Sequence, residues 1–196
     1  LSDSTDDYLF SWNFQLNRIY FPGPIWKRYA IMEPGETVCS LEDWYGIVYE
    51  KDLPALQEEF DRLRRGEQSS HNMEYRLMDR SGNRVWISCR GRCQMDQQGR
   101  PLRMIGRISD TVLAGEVDAL TGTFTADRLQ RDIKTILNTG EPCFLLLLGI
   151  DNLKNINIRN GRDSGNQMLR MVADTLEKCV APGLRIYRVN GDCFAV

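Results

Sequence analysis

The chain has 196 residues, of which 42% are apolar and 27% charged, so it can form one large or two small globular domains. Its formal net charge of −2 offers no basic field for a phosphate backbone, and we expect no nucleic acid partner. No apolar run approaches the ~20 residues that a membrane-spanning helix needs. The opening LSDSTDDYLF lacks a signal peptide's basic region and an initiator Met, so we expect a piece of a longer protein.

Six cysteines are scattered along the chain, and none forms a CxxC pair. With His71 as the one histidine, no zinc-ligand set is evident. Most of the cysteines lie among apolar residues, which favours reduced, buried thiols in a cytoplasmic protein. Their positions are Cys39, Cys89, Cys93, Cys143, Cys179 and Cys193.

The first half begins with strand patterns. YLFSWNFQ predicts a first strand, a turn follows at Asn17-Arg18, and IYFPG predicts a second strand. The chain from Trp26 to Thr37 is irregular, with room for a short helix. Pro54–Arg65 predicts an amphipathic helix with Asp52 as its N-cap. Its apolar face consists of Leu56, Phe60 and Leu63.

Three further strands are predicted for HNMEYRLMD, RVWISCRGRCQM and PLRMIGRISD, joined by turns that contain Gly82 and Gly99. Residues 8–110 therefore predict an α+β domain, an antiparallel sheet of about five strands with helices on one side. Within it we expect Trp86 in the core rather than at a ligand. Arg76 is expected as a solvated strand residue, and His71 at the surface rather than as a haem ligand.

From Asp118 the pattern becomes that of an α/β domain. TADRLQRDIKTILNTG predicts a helix ending at Gly140, and CFLLLLGI a strand buried on both faces. Gly165–Val180 predicts another helix, capped by Asp163 or Ser164. LRIYRVNGDCFAV predicts a hairpin about Asn190-Gly191. The apolar positions of the two helices are Leu129, Ile133, Ile136 and Leu137, and Met168, Leu169, Val172 and Leu176.

The first half resembles PAS domains of the subclass with a C-terminal PAC segment. The resemblance covers residues 8–110 and is carried by EYRLMDRSGNRVWISCRGRCQMDQQGRPLRMIGRISD, Glu74–Asp110, with WYGIVYEKDLP, Trp44–Pro54. It implies a sensor domain, since such domains often hold a small molecule between sheet and helices. The flavin-binding N-C-R-F-L type motif is absent. The PAS ligand stays unknown: no cofactor, an unidentified metabolite, and a role in dimerisation or signal relay are all compatible.

The second half resembles the GGDEF, or diguanylate cyclase, family at DALTGTF (118–124), IDNLKNINIRNGRDSGNQML (150–169) and RVNGDCF (188–194). The family patterns there are D-x-L-T-G-L, D-x-D-x-F-K-x-x-N-D-x-x-G-H-x-x-G-D-x-x-L and R-x-G-G-D-E-F. The resemblance implies a palm-like α/β domain with a central sheet flanked by helices. Residues 118–196 span its first half, with the later strands and helix missing, and 111–117 form a short linker.

This resemblance implies condensation of two GTP molecules into cyclic di-GMP by a dimer, with carboxylates holding two Mg²⁺ ions on the triphosphate. The family's first metal-ligating Asp falls on Gly149, the first Gly of its R-x-G-G-D-E-F pattern on Asn190, and the Glu on Cys193. Glycine has no side chain, and a thiol is not a hard oxygen ligand. We therefore expect a degenerate catalytic site. Asp192 is the remaining candidate metal ligand, with a turn residue as the alternative.

Four residues are candidates for nucleotide binding: Asn157, Asn166, Lys154 and Asp192. The resemblance implies that Asn157 is the family's guanine-contacting Asn, although it could also brace a loop. The partner Asp falls on Asn166. A carboxylate accepts from both guanine N–H groups, whereas an amide offers one acceptor, and losing a charge-assisted pair costs about 1.5–3 kcal/mol. The family's inhibitory R-x-x-D falls on Ala181 and Leu184, which cannot bind the product in that way.

Together these resemblances imply a cytoplasmic signal-transduction module of cyclic di-GMP signalling. A PAS sensor would be coupled to a catalytically degenerate GGDEF domain that regulates a partner, or an EAL phosphodiesterase domain beyond Val196. GTP with Mg²⁺ is the candidate ligand, and a homodimer the candidate assembly. Two alternatives stay open: a residual diguanylate cyclase, and a dimerisation platform that binds no nucleotide.

Overall fold

The chain divides into two compact units, Leu1–Leu113 and Ala114–Val196, in a computed structural model that describes residues 7–111, 115–140, 142–181 and 183–196. Each unit has its own sheet. In the described ranges, no helix has the length and apolar character needed to cross a membrane.

The two end residues of the predicted linker at 111–117 each form backbone interactions within one of the two units. The backbone N–H and the hydroxyl of Thr111 donate to the Trp86 carbonyl oxygen at 3.1 and 2.8 Å. Val117 pairs with Phe124 in an antiparallel bridge. Thr111 therefore belongs to the first unit and Val117 to the second, while residues 112–114 lie outside the described residues.

The first unit is an antiparallel sheet interrupted by helices. A 3₁₀ turn at Ile25–Lys27 overlaps the start of the stretch from Trp26 to Thr37 that was expected to be irregular, with room for a short helix. The elements in chain order are β1 Asp7–Asn13, β2 Arg18–Tyr20, β3 Val38–Ser40, α1 Leu41–Ile47, α2 Leu53–Arg64, β4 Ser70–Met78, β5 Arg84–Met95 and β6 Pro101–Asp110.

The strand order of this sheet is β3-β2-β1-β6-β5-β4, with every pair antiparallel. The predicted fold class is confirmed, with one strand more than the five expected. That strand is β3, whose three residues are too few to show an alternating pattern. The inner face of the sheet and α2 together bury an aromatic-rich core that includes Trp12, Phe60 and Tyr75.

Helix α1 begins with a capping box. Ser40 accepts a hydrogen bond from the Asp43 backbone N–H, and the Asp43 carboxylate accepts one from the Ser40 backbone N–H. Helix α2 carries the predicted buried face of Leu56, Phe60 and Leu63. Asp52 is the N-cap residue of this helix, as predicted, but its side chain makes no capping bond to the helix.

Asp52 instead binds Arg76 on β4. Its carboxylate accepts from Arg76 Nε at 2.8 Å, from Nη2 at 2.6 Å and from the backbone N–H at 2.8 Å. The Arg76 guanidinium lies between two rings, 4.4 Å from the Tyr49 centroid and 4.7 Å from the Trp86 centroid. The predictions of a solvated Arg76 and a core Trp86 are therefore wrong, because Trp86 lies half-buried on the outer face of β5, cross-strand from Arg76.

The prediction of a surface histidine is also wrong. His71 is 1% exposed on the inner face of β4, where its ring meets the edge of Phe60 at a centroid distance of 5.3 Å. All six cysteines are free. Cys39, Cys89 and Cys93 are buried, but Cys143 and Cys179 in the second unit are exposed and Cys193 is half-buried, so burial of the thiols holds for the first unit only.

The second unit is a four-stranded sheet with three helices in its described part. The sheet order is β7-β9-β10-β8, with β7 and β9 parallel and the other pairs antiparallel. The elements are β7 Phe124–Thr125, α3 Ala126–Thr139, β8 Leu147–Gly149, α4 Leu153–Asn160, α5 Arg162–Cys179, β9 Tyr187–Arg188 and β10 Cys193–Ala195.

Two predictions for this unit need correction. Helix α5 begins at Arg162, its N-cap is Gly161, and Ser164 Oγ donates to the Asn160 carbonyl oxygen rather than capping the helix. Helix α4 was not predicted, because its apolar residues are too few to show a helical period. The inner stripe of α5 packs as predicted against a small core of Leu153, Leu169, Ala173 and Phe194.

The segment CFLLLLGI was predicted to be a strand buried on both faces, and this prediction is wrong. Phe144 is 98% exposed, and Leu145, Leu146 and Leu147 are between 49% and 60% exposed. In α3, Leu129 is buried, whereas Ile136 and Leu137 are exposed. β8 is an edge strand of the sheet, and one of its edges is not paired with any described strand. The apolar side chains of 144–147 are likewise left exposed by the described part of the chain.

Candidate functional site

The pairing of β8 with β10 brings two predicted site positions side by side. Gly149 is the direct cross-strand partner of Cys193, and the Ile150 backbone N–H donates to the Asp192 carbonyl oxygen at 2.9 Å. The end of β8 and the start of β10 therefore form one edge of the candidate site. At that edge Gly149 contributes no side chain, Cys193 contributes a thiol, and Asp192 is an exposed carboxylate.

The loop from Val189 to Asp192 joins β9 to β10 as the predicted hairpin. Val189 N–H donates to the Cys193 carbonyl oxygen at 2.8 Å. Neither Asn190 nor Gly191 has a positive φ, so the turn is not the two-residue left-handed type that an Asn-Gly pair favours. Both residues are exposed.

Arg188 ties this loop to the start of the unit. Its Nη1 lies 3.1 and 3.2 Å from the two carboxylate oxygens of Asp118, and its Nη2 donates to the Gly191 carbonyl oxygen at 2.9 Å. Asp118 also accepts from the backbone N–H and the hydroxyl of Thr121. Burial alone would raise the pKa of Asp118, but the bonds from Thr121 and Arg188 outweigh it and hold the pKa below its ordinary value.

Asn157 lies where α4 packs against α5. A Cβ placed on Gly165 would overlap the Asn157 amide, so a glycine at 165 permits this close approach. Asn157 Oδ1 is buried and has no hydrogen-bond partner among the described residues. Asn166 follows Gly165 and is half-buried, whereas Lys154 is exposed.

An ion-pair cluster around Asp132 was not predicted. The Asp132 carboxylate accepts from Arg128 Nε at 2.9 Å, from Arg185 Nη1 at 2.7 Å and from the Tyr187 hydroxyl at 2.8 Å. Arg128 also binds Glu116 Oε2 at 2.5 Å. Arg128 and Asp132 have the i,i+4 spacing of a helical ion pair, which the sequence shows, but nothing in the sequence shows that Arg185, just before β9, and Tyr187, on β9, supply the other two donors.

Magnesium finds a single carboxylate, that of Asp192, among the three side-chain positions of this edge. Mg²⁺ takes hard oxygen ligands, usually carboxylates. Of the two positions paired across β8 and β10, one has no side chain and the other has sulfur. Within 7–111, 115–140, 142–181 and 183–196, no three His, Cys, Asp or Glu residues cluster so as to hold a metal ion.

The interior of the first unit leaves little free space. A cavity of ≈ 10 Å³ lies between the sheet and α2, with Trp12, Phe60 and Tyr75 among its lining residues. That volume is about the smallest that holds one water molecule. Tyr75 is fully buried and its pKa is raised well above the ordinary value, first because burial disfavours the phenolate.

These two sheets and their sites define the class of the chain. The family described as PAS fold matches residues 24–108, and the family described as diguanylate cyclase, GGDEF domain, matches residues 116–196. The chain is a PAS domain followed by a GGDEF domain, an architecture that fits a module of cyclic di-GMP signalling.

Individual proteins resemble parts of the chain. Diguanylate cyclase VdcA of Vibrio cholerae is 30% identical over 79 residues, which are 40% of this chain and 23% of VdcA. The chain thus spans less than a quarter of that curated relative. The N-terminal domain of a PAS/PAC-containing diguanylate cyclase from Marinobacter aquaeolei is 22% identical, with a TM-score of 0.48, over 56% of this chain and 98% of that one. LapD of Vibrio cholerae, an S helix-GGDEF-EAL protein bound to c-di-GMP, is 16% identical, with a TM-score of 0.41, over 43% and 21%.

Proposed function

We propose that this chain is a non-catalytic regulatory module of cyclic di-GMP signalling, in which the PAS unit controls a degenerate GGDEF unit. The carrying observation is the direct pairing of Gly149 with Cys193 across β8 and β10. The GGDEF resemblance implies metal-ligating carboxylates at both positions. Two adjacent positions without oxygen side chains support loss of catalysis more strongly than either substitution would alone.

Retention of nucleotide binding is the second part of the proposal. Asn157 Oδ1 is a buried acceptor without a partner among the described residues, and because it packs against Gly165, the side chain would turn outward to accept a hydrogen bond from a ligand. A purine N–H group is a suitable partner. We propose that GTP binds there as a regulatory ligand, contacted by Asn157, Asn166, Lys154 and Asp192.

The module would act by regulating a partner protein or domain rather than by making a product. We propose that the GGDEF unit regulates an EAL phosphodiesterase domain, on the same protein or another, in the cytoplasm and as a homodimer. All six cysteines are free thiols, and the lack of disulfides among them supports a reducing compartment.

Incubation of the full-length protein that contains this chain with GTP and Mg²⁺, followed by chromatography for cyclic di-GMP, tests the loss of catalysis. We expect no product. The matched variant restores the family residues through Gly149→Asp, Asn166→Asp, Asn190→Gly and Cys193→Glu. Cyclic di-GMP from the unmodified chain would overturn the proposal and establish the residual cyclase.

Calorimetry with GTP separates the regulatory module from a dimerisation platform. Binding that is weakened in Asn157→Ala, with an unchanged fold by circular dichroism, is the expected result. Removal of one hydrogen bond to a base should weaken binding about 10-fold. No heat of binding at millimolar GTP would favour the platform.

A further inference from the structure

A cleft of ≈ 330 Å³ lies at the end of α2 in the first unit, apart from the small cavity of the core. Its walls come from three segments: the end of α2, the turn after β1, and the turn between β5 and β6. The volume is in the range of small-molecule sites, which begins at roughly 300 Å³. Three arginines and one carboxylate are among the lining residues: Arg64, Arg65, Arg100 and Asp96. We refer to this feature as the arginine cleft.

The Asp96 carboxylate of the arginine cleft is engaged by its own turn. Its Oδ1 accepts from the backbone N–H groups of Gln98 and Arg100, each at 2.8 Å, and its Oδ2 accepts from Arg100 Nε at 2.8 Å. The Nη groups of Arg100 have no hydrogen-bond partner among the described residues, and the side chain is 71% exposed. Asp96 therefore holds the Arg100 guanidinium in place and leaves most of its five N–H donors to a ligand.

Neutral groups fix the position of Arg64. Its Nη2 donates to Asn17 Oδ1, and its guanidinium lies over the Trp12 ring, 5.0 Å from the centroid. The Asn17 amide is itself held, because its Nδ2 donates to Glu42 Oε1 at 3.0 Å. Among the described residues, no carboxylate forms an ion pair with Arg64. The Arg64 charge is thus positioned but not neutralised.

Arg65 and Gln15 contribute differently to the same lining. Arg65 is already paired, since its Nε lies 2.6 Å from Glu67 Oε1 and its Nη2 lies 3.3 Å from Glu58 Oε1. The Gln15 side chain is exposed in the turn after β1, and its amide can donate a further hydrogen bond. Arg65 therefore has little charge left to offer a ligand, whereas Gln15 adds a neutral donor.

One wall of the arginine cleft is apolar. Pro101 and Leu102 begin β6 and line the cleft, where Leu102 is 39% exposed. A Cβ placed on Gly66 would lie 3.7 Å from the Pro101 ring, so the turn after α2 packs closely against this wall. A ligand in the cleft would meet N–H donors on one side and aliphatic carbon on the other.

We propose that the arginine cleft binds the phosphate group of a small organic phosphate, whose apolar part lies against Pro101 and Leu102. This inference goes beyond the function proposed above and does not depend on it. A phosphate monoester carries about −1.5 to −2 charge at pH 7 and presents three terminal oxygens. Those oxygens suit donors from three side chains, Gln15, Arg64 and Arg100, whereas a carboxylate presents two oxygens. Guanidinium groups bind phosphate through charge-assisted hydrogen bonds, which are stronger than neutral ones.

The test is calorimetry of the full-length protein that contains this chain with phenyl phosphate, inorganic phosphate and benzoate at constant ionic strength. We expect phenyl phosphate to bind more tightly than inorganic phosphate, which has no apolar part, and more tightly than benzoate, which has one oxygen and one charge fewer. Arg100→Gln should weaken binding of phenyl phosphate, and the double variant Arg64→Gln, Arg100→Gln should weaken it about tenfold or more. Because Arg100 is largely exposed, its single variant keeps the test valid if the double variant unfolds.

Arg62→Gln is the matched control, because Arg62 is exposed on α2 but does not line the cleft. Its affinity for phenyl phosphate should change less than twofold. No detectable binding of phenyl phosphate, or an affinity that Arg100→Gln leaves unchanged, would overturn the proposal. Benzoate bound as tightly as phenyl phosphate would show that the cleft does not select phosphate. Inorganic phosphate bound as tightly would make it a general anion site, and the proposal of an organic phosphate would fail.

Discussion

The His71 side chain is an ionisable group enclosed by the core of the first unit. Its Nδ1 lies 3.3 Å from Glu59 Oε1, and its Nε2 is buried without a partner among the described residues. Burial lowers the pKa of His71, and the Glu59 carboxylate counteracts this only in part. The imidazole is therefore neutral at pH 7, and protonation would place a charge in an aromatic core.

We expect the stability of the first unit to fall as the pH drops below ~6.5, the ordinary pKa of histidine. Above that pH, His71 is neutral in both states. Below it, His71 takes up a proton in the unfolded chain but stays neutral in the folded protein, so the free energy of unfolding falls. The fall is at most about 1.4 kcal/mol per pH unit. It ends once the pH is below the lowered pKa of His71 in the folded protein. Urea titrations at about pH 7.5 and about pH 5.5 measure this loss.

His71→Gln is the matched variant, because it removes the titration but keeps a hydrogen-bonding group near Glu59. Carboxylates elsewhere contribute to the pH dependence of both proteins, so the comparison depends on the difference between them. The variant should lose less stability on acidification than the unmodified chain. An identical loss in the two proteins would show that another group is responsible.

At the scale of elements, the pairing of β5 and β6 depends on two facing glycines. Gly91 and Gly106 are cross-strand partners. A Cβ on Gly106 would overlap the Arg90 carbonyl oxygen and the Phe10 ring, while one on Gly91 would meet the Met104 side chain at 2.8 Å. The pair lets the Phe10 and Met104 side chains lie directly on the backbone of the sheet.

Gly106→Ala should destabilise the first unit by about 2–4 kcal/mol, because the new methyl group meets backbone and an aromatic ring that cannot both move away. Gly46→Ala in α1 is the control, since a Cβ there meets nothing within 4 Å and alanine favours a helix. Thermal unfolding of the two variants compares them directly. A Gly106→Ala protein as stable as the control would contradict the packing described for Phe10.

Helices and strands with a regular spacing of apolar residues were predictable from the sequence. The contacts that their side chains make with other elements were not. The buried face of α2 and the three long strands follow from local spacing alone. The inward orientation of His71 depends on the register of β4, and the contact of Arg76 depends on Asp52, which lies 24 residues earlier in the chain. In the candidate site, the family patterns located Gly149 and Cys193, but their direct pairing is a property of the folded sheet.

At the scale of the whole molecule, the two units differ in how much apolar surface they cover. The first unit encloses a single aromatic-rich core, whereas the second leaves the side chains of 144–147 largely exposed beside the edge strand β8. An exposed apolar edge strand is a template for pairing with another chain. Association of this chain should therefore involve the second unit.

We expect the apparent mass of the chain in light scattering to rise with concentration. The double variant Phe144→Ser, Leu146→Thr should reduce that rise, because it removes apolar side chains that are 98% and 60% exposed. Leu16→Ser is the control, since Leu16 is 70% exposed but stands alone in the turn after β1. Equal association of both variants would exclude this edge as the cause.

The exposed Asn190-Gly191 pair, like the exposed Asn160-Gly161 pair, is also a site where we expect the protein to deamidate as it ages. Glycine after asparagine leaves the backbone nitrogen free to attack the side-chain amide, and asparagine is among the thermolabile residues for this reason. Ammonia is released, and hydrolysis of the cyclic imide leaves aspartate or isoaspartate at 190. Stored protein would thus gain a carboxylate, and in part a longer backbone, in the loop that Arg188 holds. Fresh and aged samples would then differ in charge next to Asp192.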